Sequence, residues 1–202
     1  MYTFNRFGST YGGWWIETAG LNERSKIISA GVGEDITFDL ALIKQFGCSI
    51  LAFDPTPKAV AYAIQFQTES RFQFNVYGLV DKDGEISLVP PENPDYASYS
   101  VAASMPSQQS FTFSAKSLKT ILTEAGWDAV DLLKMDIEGS EYGVIDSIVA
   151  DQIPIRQLCV EFHDNIAGEI GRRTKDSIKQ LAGYGLKLVY KEYHNYTFLG
   201  NK

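Results

Sequence analysis

Polar side chains interrupt one apolar stretch of the chain, LLKMDIEG at residues 132–139. Lys134, Asp136 and Glu138 alternate with apolar residues there, and a period of two places them on one face of a β-strand. Burying such groups unpaired is costly, so they must pair, bind a ligand or meet solvent. An ion pair within the trio is one interpretation. The other, which we favour for Asp136 and leave open for Glu138, places the carboxylates in a cleft against cofactor or substrate.

A second strand-like stretch, RQLCVEFH at residues 156–163, repeats this pattern with Glu161 and His163. Because imidazole titrates near neutral pH, His163 at a strand end is the predicted general base, which takes the proton of a hydroxyl nucleophile. A histidine that only hydrogen-bonds to neighbouring site residues is the alternative. Together with Asp136 and Glu138, these residues could also bind a divalent cation, but no spacing requires one and we predict no metal.

Short apolar runs alternate with amphipathic segments, and this alternation predicts the elements that position these side chains. Thr56 and Ser140 are expected to cap their helices through their side chains. The predicted strands are 26–33, 48–54, 72–80, 129–139 and 156–163, with shorter ones at 85–90 and 111–115, and the predicted helices are 35–47, 57–67, 116–126, 140–151 and about 169–182.

This order of elements predicts the fold class and the place of the cleft. Strand–helix alternation implies parallel strands joined by right-handed crossovers, hence an α/β, Rossmann-like, doubly wound three-layer sandwich. Two terminal runs, 185–195 and 196–202, predict an antiparallel pair at one edge. Ligands bind such sheets outside the carboxyl ends of the strands. The loops after residues 31, 54, 80, 136 and 161 should therefore line one cleft.

The first turn of the predicted sheet carries Gly31 and Gly33, which let the backbone approach a ligand closely. Asp54 follows the second strand, where a carboxylate can accept both ribose hydroxyls of an adenosine. A carboxylate that only caps the turn before Pro55 is the alternative. Together these residues predict a nucleoside cofactor.

Charge at the start of the first helix distinguishes between such cofactors. A dinucleotide would place its pyrophosphate there, but the positions carry Glu34 and Asp35, and Ile36 stands where a third glycine is expected. Two carboxylates repel a pyrophosphate and tolerate the sulfonium and ammonium groups of S-adenosylmethionine. In the alternative they only complement the helix dipole. We therefore predict S-adenosylmethionine as the cofactor and disfavour an NAD-dependent oxidoreductase.

Composition limits the other possibilities. The 202 residues have a formal net charge of −7 and a hydrophobic fraction of 45%. They are expected to form one domain over 1–202, with the segment 1–25 packing on or covering the cleft and a long surface loop at 90–110. The acidic balance argues against a nucleic-acid partner, because phosphate contacts need clustered Lys and Arg. With no membrane-spanning run and no signal-peptide pattern, we expect a cytoplasmic protein without a membrane partner.

Several segments resemble the FkbM family of S-adenosylmethionine-dependent methyltransferases. They are VDLLKMDIEGSEYGVI, LCVEFH, YGGWW and SAGVGEDITFDLALIKQFGCSILAFDPTP, and the resemblance runs from about residue 11 to about residue 198. Its most specific part is the K-x-D-x-E-G-x-E segment. The resemblance implies a class I methyltransferase sheet with an antiparallel last strand.

The resemblance also implies contacts to the cofactor. Gly31 and Gly33 would approach the methionine portion, Asp54 the ribose and Asp81 the adenine edge. Asp136 would face the cleft.

One position departs from the family pattern. Class I enzymes usually carry an acid two residues before the first glycine, and this chain carries Ser29 there, so Glu34 or Asp35 would contact the ammonium group instead. The predicted cofactor-binding set is Ser29, Gly31, Gly33, Glu34, Asp35, Asp54, Thr56, Asp81 and Asp136.

The resulting functional prediction is an enzyme that methylates a hydroxyl of a sugar or small metabolite by in-line transfer. His163 takes the proton, with Asp136 or Glu138 assisting, and alignment supplies most of the rate. The acceptor is expected to be a small molecule or a glycan. The alternative is a degenerate module of the same fold that binds the cofactor or a protein partner without turnover, an alternative kept open by Ser29.

Overall fold

The computed structural model describes residues 2–66, 68–93, 98–102, 108–163 and 171–200. Parts of several predicted segments lie outside these residues: position 1 of the segment 1–25, position 67 of the helix 57–67, positions 94–97 and 103–107 of the loop 90–110, the first residues of the last helix, and positions 201–202 of the terminal run. Along the chain the strands and helices are β1 (Phe4–Phe7), β2 (Trp14–Glu17), β3 (Lys26–Ala30), α1 (Thr37–Phe46), β4 (Ser49–Phe53), α2 (Pro57–Ala63), β5 (Phe72–Asn75), β6 (Gly78–Val80), β7 (Gly84–Val89), β8 (Ser100–Val101), β9 (Phe111–Ser117), α3 (Leu118–Ala125), β10 (Leu132–Met135), α4 (Glu141–Ala150), β11 (Gln157–Glu161), α5 (Arg172–Tyr184), β12 (Leu186–Glu192) and β13 (Asn195–Gly200).

A seven-stranded sheet, counted over the described residues, forms the centre, in the order β12-β13-β11-β10-β3-β4-β5. Strands β5, β4, β3, β10 and β11 are parallel, whereas β13 is antiparallel to both β11 and β12. The chain winds outward from β3 in one direction and from β10 in the other. The structure confirms the predicted doubly wound α/β fold with an antiparallel edge pair, and it places the switch point between β3 and β10.

Alternate residues of the central strands supply two hydrophobic cores, one on each face of the sheet. Ile27 and Leu132 pack with Phe38 of α1 on one face. Ile28 and Leu133 pack with residues of α3, α4 and α5 on the other. Because both faces are covered by helices, the strands are nearly continuous apolar runs, which is why the sequence pattern identifies them.

The prediction of one strand over 72–80 is wrong. Strand β5 ends at Asn75 and pairs with β4, whereas β6 pairs with β9 in a separate sheet of order β6-β9-β7-β8. Val76, 54% exposed, lies at the bend between them. A Cβ at Gly78 would lie 3.2 Å from the Ile86 side chain, so the glycine leaves room for this side chain of β7. Strand β8 also lies within the segment predicted as a loop.

The predicted side-chain caps are absent from both helices. Thr56 occupies the N-cap of α2 with Pro57 behind it, but its hydroxyl donates to Asp54 Oδ1 at 2.7 Å. Ser140 precedes α4 with a helical backbone conformation and makes no capping hydrogen bond. The Glu141 carboxylate accepts hydrogen bonds from the backbone of the turn before α4, at Ile137 and Gly139, and not from N–H groups of the helix.

Cys48 and Cys159 are buried free thiols. Burial raises the pKa of Cys48 to about 11 and that of Cys159 to about 12. Among the helices in the described part of the chain, none combines the length and apolar character needed to cross a bilayer.

Candidate active site

A cavity of about 910 Å³ opens at the carboxyl ends of β3, β4 and β10. Its size falls within the roughly 300–1,000 Å³ typical of small-molecule sites. The loops after the three strands contribute residues 31–35, Asp54, Thr56, Asp136, Ile137 and Glu138 to the lining. The N-terminal segment contributes Tyr11 and Trp14. The second sheet contributes Ile86 and Leu88 of β7, and Tyr99 lies just before β8. The loops after residues 31, 54 and 136 therefore meet as predicted. The described residues directly after 80 and 161 are not part of the lining, which differs from the prediction.

Gly31 lies where the ends of three strands meet. Its backbone N–H donates to Phe53 O at 2.9 Å. Its φ is +78°, and a Cβ there would lie 1.6 Å from the Asp136 carbonyl oxygen. The sequence suggested that this glycine allows a close approach of the cofactor. The structure shows that it allows the close approach of the loop after β10.

Asp54 connects the loops after β3 and β4 at the edge of the cavity. This carboxylate is 6% exposed. Its Oδ2 accepts from the Gly33 backbone N–H at 2.9 Å, and its Oδ1 accepts from the Thr56 backbone N–H at 2.9 Å and from the Thr56 hydroxyl at 2.7 Å. Asp54 thus fixes the two loops that face each other across the crevice. A Cβ at Gly33 would meet no atom within 4 Å, so the backbone at this point borders open space.

Asp35 connects the start of α1 to the N-terminal segment. Its Oδ1 accepts from the Thr37 backbone N–H at 2.8 Å, and its Oδ2 accepts from the Ser9 hydroxyl at 2.5 Å. Burial alone would raise the pKa of Asp35, but the hydrogen bonds from Ser9 and Thr37 lower it below its ordinary value. Glu34 is exposed beside it at the cavity edge. Both side chains therefore lie at the mouth of the cavity, and the lowered pKa favours the charged form of Asp35 there.

Two predicted cofactor-binding residues lie away from the cavity. Ser29 is 1% exposed, is not part of the lining, and faces the buried carboxyl of Asp39 on α1. Burial raises the pKa of Asp39 to about 6, although Lys134 and Ser29 act in the opposite direction. Asp81 is exposed and lies against Gly143 of α4.

Lys134 is buried beneath the turn after β3, where other residues of the protein contact its ammonium group. Its Nζ donates to the carbonyl oxygens of Ala30 and Gly31 and lies 3.9 Å from Asp136 Oδ2. The ion pair expected between Lys134 and Asp136 is thus present. The ammonium also lies 5.7 Å from the centre of the Trp14 ring, which contributes a cation–π contact.

His163 joins the ends of β10 and β11 in one polar cluster. Its Nδ1 is 2.8 Å from Glu141 Oε1, and its Nε2 is 3.4 Å from Glu138 Oε2 and 3.8 Å from Asp136 Oδ1. Glu138 reaches this position through a turn with φ of +53°, not through strand alternation, because β10 already ends at Met135. Potential ligand atoms of Asp136, Glu138 and His163 lie within 4.8 Å of one another, a spacing that a divalent cation could also use.

Electrostatics within the cluster favour protonated forms. Burial would lower the pKa of His163, but Glu141, Glu138 and Asp136 raise it to about 9. Burial and the neighbouring Asp136 raise the pKa of Glu161 to about 7. Burial also raises the pKa of Glu138 above its ordinary value. His163 is therefore an imidazolium at neutral pH and can accept a proton only after losing its own.

We expect the free energy of unfolding to fall as the pH rises from about 6.5 to about 9. The folded-state pKa of His163, about 9, exceeds its unfolded value of about 6.5, so its contribution is complete below 6.5 and is lost as the pH rises through 9. The loss amounts to roughly 2–4 kcal/mol. Urea unfolding at several pH values measures it.

The variant His163→Gln should remove this part of the pH dependence. His194→Gln is the matched control, because His194 is the exposed second histidine and should leave the profile unchanged. An unchanged profile in His163→Gln would show that another group is responsible.

The sequence alone indicated no role in the site for two acidic residues of this region. Asp39 lies three residues after Ile36 and four before Ile43, on the predicted apolar face of α1, and an acid on such a face is a usable signal. Glu141 is fully buried, although its position in the first turn of α4 is also typical of an acid that only complements the helix dipole. No sequence feature distinguishes these two roles.

Comparisons with known proteins address the family and the fold. A sequence model described as the methyltransferase FkbM domain matches residues 28–192. No curated protein matches the sequence. Among solved structures, fibrillarin from Methanococcus jannaschii, a pre-rRNA processing protein, has a TM-score of 0.53 at 10% identity, covering 91% of this chain and 69% of that one.

Two further structures were solved with cofactor or product. Fibrillarin from Aeropyrum pernix, with natively bound S-adenosyl-L-methionine, has a TM-score of 0.52 at 12% identity over 92% of this chain and 70% of its own. A candidate methyltransferase from Streptococcus mutans, in complex with S-adenosylhomocysteine, has a TM-score of 0.50 at 10% identity over 88% of both chains. At these identities the likeness establishes the fold.

Proposed function

The chain belongs to the FkbM methyltransferase family and is an S-adenosylmethionine-dependent methyltransferase, and we propose that it methylates a hydroxyl group of a sugar or small metabolite. One observation carries the proposal. A single cavity joins the turn of Gly31 and Gly33 to Asp136 and Glu138, and these carboxylates contact His163. A methyl donor and a group that removes a proton can thus act on the same acceptor atom.

The residues around the crevice between β3 and β4 fit this cofactor. Gly33 borders open space, and Asp54 presents a buried carboxylate to the cavity. When bound, S-adenosylmethionine supplies an electrophilic methyl group. Gly31, Gly33 and Asp54 would hold it, with Glu34 and Asp35 providing negative charge near its cationic groups. A phosphate-bearing cofactor would meet these same carboxylates and be repelled.

The charge of the cavity supports an acceptor other than nucleic acid. Glu34, Asp35, Asp136 and Glu138 all line it. Among the described lining residues Lys134 is the one cation, and two backbone carbonyls already engage it. Phosphate groups need free Lys or Arg side chains, so this surface is a poor match for RNA or DNA. The cytoplasmic location expected from the sequence stays a prediction.

The cluster provides a route for the acceptor proton. Asp136 and Glu138 line the cavity whereas His163 does not, so the proton reaches Nε2 of a neutral His163 through one of these carboxylates. Nε2 of His163 lies within 4 Å of one oxygen of each carboxylate. Alignment of acceptor and donor supplies the larger share of the rate.

The cofactor and the reaction are tested separately. Mass spectrometry of the purified protein detects carried-over cofactor, and calorimetry measures binding of S-adenosylmethionine and S-adenosylhomocysteine. Candidate hydroxylated acceptors are then screened for the mass gain of one methyl group. If S-adenosylmethionine does not bind, the proposed enzymatic function is contradicted. Binding without turnover on any acceptor favours the alternative of a cofactor-binding module.

Asp54→Asn should weaken binding of S-adenosylhomocysteine by about 10- to 100-fold. A neutral amide loses one acceptor position, and hydrogen bonds to charged groups contribute about 1.5–3 kcal/mol each. Calorimetry gives the dissociation constants, and thermal unfolding checks that the variant is folded.

The control for this variant is Asp81→Asn, an exposed acid outside the cavity lining, for which we expect unchanged affinity. Weaker binding in Asp81→Asn would support the contact between Asp81 and the adenine edge that the family resemblance implies. Wild-type affinity in Asp54→Asn would remove Asp54 from the cofactor site.

A further inference from the structure

Glu141 is the most completely buried acid beside the active-site cluster. It is 0% exposed at the first position of α4. Burying a carboxylate is costly unless its oxygens are satisfied. Here they are: Oε1 accepts from the Ile137 backbone N–H at 3.1 Å, and Oε2 accepts from the Gly139 backbone N–H at 3.0 Å. The third partner is His163, whose Nδ1 lies 2.8 Å from Oε1.

These contacts determine which nitrogen of His163 carries a fixed proton. Oε1 already accepts from a backbone N–H, so it acts as an acceptor and Nδ1 must donate to it. Nδ1 is therefore protonated, and Nε2 is the atom whose proton can be exchanged. Nε2 faces Glu138 and Asp136, the carboxylates that line the cavity.

The same contacts fix the turn that carries the cavity carboxylates. Glu138 has φ of +53° and Gly139 has φ of +112°. A residue other than glycine in the left-handed region is held there by its surroundings at a cost. The backbone hydrogen bonds to Glu141 on both sides of Glu138 supply that restraint. Glu141 thus connects the loop after β10 to the imidazole after β11.

We propose that Glu141 is a positioning residue of the methyl-transfer site, which orients His163 through Nδ1 and holds Asp136 and Glu138 toward its Nε2. Only the catalytic consequence of this role rests on the proposed function. The orientation of His163 is a property of the protein without acceptor or cofactor, so it can be tested when no acceptor is known.

The charged groups that face His163 come from three elements. Asp136 and Glu138 follow β10, Glu141 begins α4, and Glu161 ends β11. Lys134 opposes them through its ion pair with Asp136. Replacing Glu141 by Gln removes the closest of these carboxylates and keeps an oxygen that can accept from the backbone. The variant therefore separates the charge of Glu141 from its shape.

The experiment is a pH titration of the histidine side chains by ¹H–¹⁵N NMR. The chain has two histidines, so the exposed His194 serves as an internal reference. In the wild type we expect His163 to titrate near 9, with a proton retained on Nδ1 above that pH. In Glu141→Gln the midpoint should fall by about one to three pH units, because an opposite charge within about 4–6 Å shifts a pKa by that amount.

Two variants make the result specific. Glu124→Gln removes an exposed glutamate of α3 and should leave His163 unchanged. Glu141→Asp keeps the charge, so it should restore a midpoint above that of Glu141→Gln. A wild-type His163 whose neutral form carries its proton on Nε2 overturns the proposal without any variant. An unaltered midpoint in folded Glu141→Gln also overturns it, whereas loss of cofactor binding would contradict only the proposed function.

Discussion

Replacing Gly31 by alanine should destabilise the protein by about 3–5 kcal/mol and abolish cofactor binding at accessible concentrations. The added Cβ would lie 1.6 Å from the Asp136 carbonyl oxygen, so backbone must move against backbone. The φ of +78° adds the ordinary cost of a side chain in the left-handed region. Movement of Asp136 would also separate it from Lys134 and His163.

Gly33→Ala provides the matched control within the same turn. Gly33 also has a positive φ, +55°, but a Cβ there would meet no atom within 4 Å. We expect a loss of about 1–2 kcal/mol, the cost of the backbone conformation alone. Urea unfolding measures both variants, and calorimetry with S-adenosylhomocysteine measures binding in those that remain folded.

The comparison of the two glycines distinguishes two explanations of the turn. If Gly31 served only the approach of a ligand, both variants would be nearly equally stable and would differ only in affinity. A much larger loss in Gly31→Ala shows that the turn is required by the contact between β3 and β10. Equal stability of the two variants would contradict this interpretation.

Much of the fold follows from the sequence because both faces of the central strands are covered. Buried strands such as β3 and β4 are continuous apolar runs between helices, and the alternation of these elements implies parallel pairing. The prediction of a single strand over 72–80 fails because the apolar pattern continues through the bend at Val76. Periodicity reports burial and not the sheet to which a strand belongs, and Gly78 is the only local sign of the second sheet.

The candidate site was predictable where strand ends are polar and unpredictable where long-range contacts decide. Asp136 lines the cavity, as expected from its place at a strand end. The contact between Glu138 and His163 depends on a left-handed turn, which strand alternation does not encode. The hydrogen bond between Ser9 and Asp35 joins segments that are distant along the chain, and no local pattern reveals it.

His163→Gln should lower the rate of methyl transfer by about 10²–10⁴-fold, the usual contribution of a general base. Glutamine can still donate a hydrogen bond to Glu141. Its amide is too weakly basic to remove the proton of the acceptor. The measurement is the single-turnover rate with an acceptor from the screen. His194→Gln, at the exposed histidine, should retain the full rate.

The pH dependence of the wild-type rate tests the same assignment in a second way. Neighbouring carboxylates raise the pKa of His163 to about 9, so below that pH the base is occupied by its own proton. The rate should increase about tenfold for each pH unit up to about 9 and then level off, because the neutral fraction increases in that proportion. His163→Gln should lose this slope.

A divalent cation at Asp136, Glu138 and His163 would give a different result, because His163 would then serve as a ligand. Treatment with a chelator separates the two mechanisms. A rate that survives chelation and keeps its slope up to pH 9 supports proton removal by His163. Loss of activity on chelation, restored by added Mg²⁺ or Mn²⁺, would transfer the role of these three residues from moving a proton to holding a metal ion.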